Sequence, residues 1–317
     1  MPYNKKLLLL GSLAAFLAVI YVLTLVLDPS RINARNERFT WMTPDLRDEA
    51  DRIEIFRVGE KTEMVLRNGI WFVLLGQMEV PARQGRTDDL FRLLSTRGAF
   101  PLRGTSSKSH AELGLDGSTR LVIRGGGGRI PLLDLLVGKG DSSGKSVFLR
   151  KNGENEFRSG DRLISSYVNG DTNAWLDLKL FDGKSVAQVQ RVLVYFRNYY
   201  GLGEEVSDLP YKDYIIKRSG ENWQIDKGLD KDKTENWIHA ILEVSADDIL
   251  PESADELNAE PVALLRVELG DGSALEMQIH ECDENGKALA VVNGKPYLYV
   301  LSQWTVIRLL RNQDYFY

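Results

Sequence analysis

The sequence is poor in the residues that build catalytic and metal centres. It holds one cysteine, Cys282, and three histidines, His110, His239 and His280, among 317 residues. A single thiol forms no internal disulfide, which excludes a disulfide scaffold and leaves the redox compartment open. The histidines share no zinc-type spacing. The densest cluster, His280-Glu281-Cys282, reads as an ordinary strand end, because neighbours on a strand point to opposite faces. The acidic stretch 245–261 carries Asp247, Asp248, Glu252, Asp255, Glu256 and Glu260 but no glycine, so it lacks the turn a calcium loop requires and reads as a solvated loop. Positive charge is also scarce. From residue 28 onward, 38 basic residues face 45 acidic ones, a balance of −7 that disfavours nucleic acid as a partner.

What is present is led by an uncharged apolar run at residues 7–27, "LLLLGSLAAFLAVIYVLTLVL". As a helix it spans about 31 Å, the thickness of a bilayer core. A cleaved signal peptide has a shorter apolar region and a small-x-small site after it, whereas "LVLDPS" follows here. The run therefore predicts a single transmembrane signal anchor within residues 1–28. Lys5 and Lys6 on one side and Arg31, Arg35 and Arg38 on the other nearly balance under the positive-inside rule. The short N-terminal tail and the long C-terminal part place the bulk on the periplasmic, extracytoplasmic side of the cytoplasmic membrane. Residues 29–49 are polar, with two prolines, and read as a stalk.

The remainder is written twice. "RIEIFRVGEKTEMVLRNGIWFVL" gives alternating strands running to Trp71, and "VAQVQRVLVYF" with "YIIKRSGENWQI" gives strands running to Trp223. A helix follows in each copy, expected to begin with a threonine cap at Thr87 and at Thr234 before acidic residues. Leu90, Leu93 and Leu94 mark the apolar face of one helix, and Trp237, Ile238, Ile241 and Leu242 that of the other. Glycine-turned strand pairs complete both copies. The period is too long for a solenoid, so the expectation is α+β: two tandem repeat domains of antiparallel strands, 50–181 and 185–317, with one main helix each.

Within the first copy, "GKGDSSGKS" at 138–146 imitates a phosphate-binding loop. Counting back from Gly144-Lys145-Ser146, the required first glycine falls on Lys139, and the continuation reads as strand, turn, strand rather than helix. The stretch is expected to be a polar hairpin loop that binds no nucleotide. "RGGGGR" at 124–129 reads as a loose hairpin tip.

The combination "SHAELGLDGSTRLVI", "LLVGKG" and "SVFLRKNGENEF", after a tryptophan strand and a leucine-rich helix, resembles the bacterial domain-of-unknown-function 4340 family. In that family a helix is followed by a Gly-Leu-Asp turn, here Gly114-Leu115-Asp116, and by a ladder of strands. The resemblance covers the first copy and reaches the second through the repeat, where "PESADELNAEP" lacks the turn. It implies an N-terminal membrane segment and an accessory role beside gliding-motility-type ABC transporter permease and ATPase subunits, and it supplies no catalytic residues.

One surface candidate stands out. "VYFRNYYG" sets Tyr195, Phe196, Tyr199 and Tyr200 around Arg197, residue types favoured at protein interfaces and as stacking platforms for sugars. The expectation is a non-enzymatic scaffold that binds envelope proteins, without cofactor or metal. The alternative is an envelope glycan-binding module using the same patch.

Overall fold

The computed structural model describes residues 13–22, 34, 36–117, 119–197 and 211–317. Of the apolar run 7–27, residues 13–22 form an exposed helix and the rest lies outside the described residues. Among the described residues no helix is long and apolar enough to cross a membrane, so the anchor remains an inference from sequence.

The fold is α+β. A short helix α1 (Pro44–Glu49) leads into β1 (Ala50–Arg57), β2 (Glu60–Arg67), β3 (Ile70–Leu75) and β4 (Met78–Pro81). Helix α2 (Gln84–Ser95) precedes β5 (Leu102–Gly104), β6 (Arg120–Gly125), β7 (Ile130–Gly140), β8 (Ser146–Lys151) and β9 (Phe157–Asp161), and α3 (Leu163–Asn169) follows. The strands form one sheet in the order β4-β3-β2-β1-β6-β7-β8-β9-β5. The chain then repeats itself: β10 (Val189–Phe196), β11 (Tyr214–Ser219), β12 (Asn222–Gln224), α4 (Lys231–Leu242), β13 (Asp248–Ser253), β14 (Ala263–Leu269), β15 (Ala274–Cys282), β16 (Lys287–Val292), β17 (Tyr297–Ser302) and α5 (Gln303–Leu309). Their order, β12-β11-β10-β14-β15-β16-β17-β13, matches the first sheet strand for strand, except that β4 has no counterpart. By its contacts the chain falls into two units, one of Met1–Trp71 with Gln84–Asp171 and the other of Phe72–Arg83 with Thr172–Tyr317.

Period-2 alternation decides which face of each sheet is buried. On β1, Ile53 and Ile55 are fully buried, as are Leu121, Ile123, Leu135 and Leu149 on neighbouring strands. Val192, Val194, Ile216, Leu265, Val267, Met277 and Ile279 do the same in the second unit. Helix α2 supplies buried Leu90, Phe91 and Leu94, with Phe91 5.8 Å from the Trp71 ring. Helix α4 supplies Trp237, Ile238, Ile241 and Leu242, and Trp237 lies 4.8 Å from Phe316 and 6.4 Å from Tyr214.

Both helices begin three residues before the expected threonines. Thr87 and Thr234 are fully buried inside the first turn, and their hydroxyls donate back to the carbonyls of Gln84 (2.8 Å) and Asp230 (2.7 Å). Asp230 is the true cap of α4, accepting from the Lys233 amide at 2.9 Å. A threonine in the first turn can satisfy its hydroxyl on a carbonyl one turn back, and so imitates a cap in sequence.

Residues 36–42 dock on the first unit. Thr40 Oγ1 donates to the Leu94 carbonyl at 2.7 Å, Met42 is buried, and Phe39 and Trp41 pack edge-on against Phe100. Arg158, fully buried on β9, ties this segment down. Its Nη1 donates to the Phe100 carbonyl (2.7 Å) and to Asn36 Oδ1 (3.2 Å), its Nε donates to Glu156 (2.8 Å), and its guanidinium lies 3.6 Å from the centre of the Phe39 ring. Removing the buried guanidinium takes away its bonds to the Phe100 carbonyl and Asn36 and leaves the partly hydrated Glu156 carboxylate without it, at a cost of about 1–3 kcal/mol. Arg158→Met should therefore lower the unfolding free energy by about that amount and open Phe39 and Trp41 to chymotrypsin. Adding Glu156→Gln should restore part of the loss, and an Arg158→Met variant with unchanged denaturation would remove the anchoring role.

Candidate functional site

The face of the second sheet away from α4 and α5 holds a pocket of about 340 Å³ lined by Tyr195, Phe196, Arg197, Asp213, Pro261, Ala263, Leu264, Glu276 and Gln278. Register explains the convergence of residues so distant in sequence. β10 pairs with β14 so that Tyr195 lies opposite Leu264, and β14 pairs with β15 so that Leu264 lies opposite Gln278. One row along, Arg266 lies opposite Glu276, and these two form an ion pair at 3.4 Å.

The polar groups have defined partners. The Phe196 amide donates to Asp213 Oδ1 at 2.8 Å, and the Arg197 amide donates to the Val262 carbonyl at 2.8 Å. The Arg197 guanidinium meets Glu260 at 2.7 Å, and both side chains are exposed. Phe196 packs on Tyr211 with ring centres 4.8 Å apart. Tyr195 is 38% exposed, enough to offer a ring edge to the pocket.

Three of the five residues singled out from sequence, Tyr195, Phe196 and Arg197, thus line the pocket. Tyr199 and Tyr200 lie outside the described residues. The contributions of Asp213, Leu264, Glu276 and Gln278 escape a linear reading, because only the strand register brings them to β10.

The loop that imitates a phosphate site is occupied by its own carboxylate. Asp141 Oδ1 accepts from the amides of Lys145 and Ser146, each at 3.2 Å, and Oδ2 accepts from the hydroxyls of Ser143 and Ser146, each at 2.8 Å. These are the donors a phosphate would need. The bonds, those of Ser143 foremost, hold the Asp141 carboxyl at about 2. The second unit repeats the device, with Asp283 accepting from Asn285 N (2.9 Å) and Lys287 N (2.8 Å).

The "RGGGGR" turn is likewise tied down rather than loose. Gly126, Gly127 and Gly128 all have positive φ, and the amides of Gly127 and Gly128 donate to Asp51 at 2.5 and 2.9 Å. Successive amides in this conformation form an anion-binding concavity, here filled by the side chain of β1.

The histidines are scattered. His110 contacts the Asn155 carbonyl at 3.0 Å and stacks edge-on to Phe157, while His239 lies in α4. His280 is buried, and burial lowers its pKa. Burial first, then Asp283 and Glu281, pushes the Cys282 thiol up, away from the thiolate that nucleophilic chemistry uses. Among the described residues no group of three or more His, Cys, Asp or Glu is placed to hold a metal ion.

Comparison of the chain with family models, curated proteins and solved structures finds no match.

The filled loop makes a titration prediction. A depressed carboxyl pKa contributes stability that is complete above the ordinary value near 3.8 and is lost as pH falls through about 2. In a carbon-detected NMR titration the Asp141 carboxyl should have its midpoint near 2, and the Lys145 and Ser146 amides should move with it. A midpoint at the ordinary value would show that the loop does not hold the carboxylate.

Proposed function

We propose that this chain is a non-enzymatic accessory or scaffold protein, anchored by residues 7–27 in the cytoplasmic membrane with its bulk outside the cytoplasm, that binds other envelope proteins. The observation that carries the reading is the open pocket on the solvent face of the second sheet. It gathers tyrosine, phenylalanine and arginine, residues enriched at interfaces, on a rigid strand framework. The most fitting partner is an ABC-type transporter complex, on the strength of the resemblance described above.

A second reading, an envelope glycan-binding module, draws on the exposed Tyr195 ring beside Gln278 and Asp213, since an aromatic face with polar neighbours suits a sugar. On that reading Tyr195→Ala would abolish retention on isolated cell-wall material and leave any transporter complex intact.

Purification of the tagged full-length protein from its native membrane in mild detergent separates the two. Permease and ATPase subunits are expected in amounts comparable to the protein itself, by mass spectrometry. Recovery of the protein alone, under conditions that preserve a known transporter, would overturn the scaffold reading.

A further inference from the structure

The duplication supplies a template for what the pocket takes. Aligning the sheets on strand order and register pairs Phe56 with Tyr195, Arg120 with Leu264, and Asp134 with Glu276. Lys61 lies opposite Phe56 on β2, and continuing the β10–β11 register one residue beyond Val194 and Tyr214 pairs it with Asp213.

In the first unit the aromatic ring lies between two cations. The Arg120 guanidinium is 5.7 Å from the Phe56 ring centre and forks onto Asp134 with two bonds of 2.6 Å, and Lys61 Nζ is 5.4 Å from the same ring. Bidentate arginine–carboxylate pairing and stacking on an aromatic face are the geometries that guanidinium fits best. In the second unit the ring and the carboxylate remain as Tyr195 and Glu276, but both cations are gone. Leucine stands in place of the arginine and aspartate in place of the lysine. Arg266 reaches Glu276 only at 3.4 Å and lies on the neighbouring row of the sheet, so it does not take the place above Tyr195. Leu264, which stands at the register position of Arg120, lines the pocket.

We infer that this pocket receives an arginine side chain of a partner polypeptide, stacked on Tyr195 and forked onto Glu276 with Asp213 alongside. Charge complementarity selects the occupant. Asp213 and Glu276 both line the pocket, and the one cation among its described lining residues, Arg197, is already paired with Glu260. Residues 198–210, which connect Arg197 to Tyr211, contain no lysine or arginine and so offer no cation of their own. The inference rests on the scaffold reading and gives it a recognition chemistry.

The test is saturation-transfer NMR on the detergent-solubilised full-length protein with the capped peptide Gly-Ser-Arg-Ser-Gly and its citrulline twin as probes. Transfer should be strongest to the arginine methylene protons and weaker by about threefold or more for citrulline. It should fall with Glu276→Gln and vanish with Leu264→Arg, which rebuilds the first unit's arrangement and so should fold with a thermal midpoint no lower than the parent. Glu284→Gln, an exposed charge on the β15–β16 turn, should leave transfer unchanged. Equal transfer to citrulline, or arginine transfer that survives in a folded Leu264→Arg protein, would overturn the assignment. A dimer that Leu264→Arg dissociates would place the arginine on a second copy and overturn the choice of a different polypeptide. The scaffold reading fails separately, through co-purification: a transporter complex recovered intact with a pocket indifferent to arginine would sink this inference alone.

Discussion

Each sheet packs its helices on one face only, α2 and α3 in the first unit and α4 and α5 in the second, and most of this structure follows from that constraint. The covered face can be filled with aliphatic side chains, and Ile53, Ile55, Val192 and Val194 show the alternation by which the chain does so. The other face must carry side chains that tolerate water yet keep the strands in register. On the first sheet that task falls to a charged ladder. Glu54, only 7% exposed, accepts from Arg124 at 2.7 Å and meets Lys61 at 2.8 Å, and Lys61 meets Glu63 at 2.7 Å. Burial alone would raise the Glu54 pKa, but its bonds to Lys61 and Arg124 outweigh that and hold it below the ordinary value. Cross-strand opposite charges of this kind also fix register, because a slip of one residue would exchange ladder and core.

The parts of the fold legible in sequence are those governed by local periodicity. The tryptophan strands, the two amphipathic helices and the glycine-turned strand pairs of both copies are readable because each declares itself within about a dozen residues. The helix starts were misplaced because Thr87 and Thr234 satisfy their hydroxyls on carbonyls of the preceding turn, which a linear reading does not distinguish from capping. "RGGGGR" looked loose because its partner, Asp51, is far away in sequence and adjacent only through the pairing of β1 with β6. The aromatic stretch at 195–197 was visible as composition, but the groups that give it a chemical character come from β11, β14 and β15. A site made across a sheet is encoded in the register, and register is a non-local quantity.

The two concavities that imitate phosphate sites show how backbone geometry and ligand choice separate. Turns that point several amides inward arise wherever a hairpin needs positive φ, and here Gly144 and Gly286 supply it at equivalent places in the two units. An inward set of amides requires an anion, and a nearby aspartate meets the requirement without any ligand. Asp141 and Asp283 occupy equivalent positions, each taking two backbone amides, so the device is common to both copies. The lysine-serine pair of the first loop is then an incidental outcome of strand-initiating residues following a glycine turn.

The copies differ on the face away from the helices. In the first unit Leu115, fully buried with Leu136 and Phe157, caps that face, and Gly138 is a glycine because a Cβ there would stand 2.3 Å from the Leu113 carbonyl oxygen. The same register places Gln278 where Leu136 stands and buried His280 where Gly138 stands. An imidazole does not permit the close backbone approach that the glycine allows. The second unit's inner face meanwhile keeps the same buried aliphatic pattern, since each sheet must still cover one side. Substitutions on the inner face are held back by packing density, whereas those on the outer face can change charge and shape with the core intact. A duplicated domain can therefore retain one self-satisfied copy as the structural reference while the other exchanges its internal cation for an open, acidic, tyrosine-walled pocket.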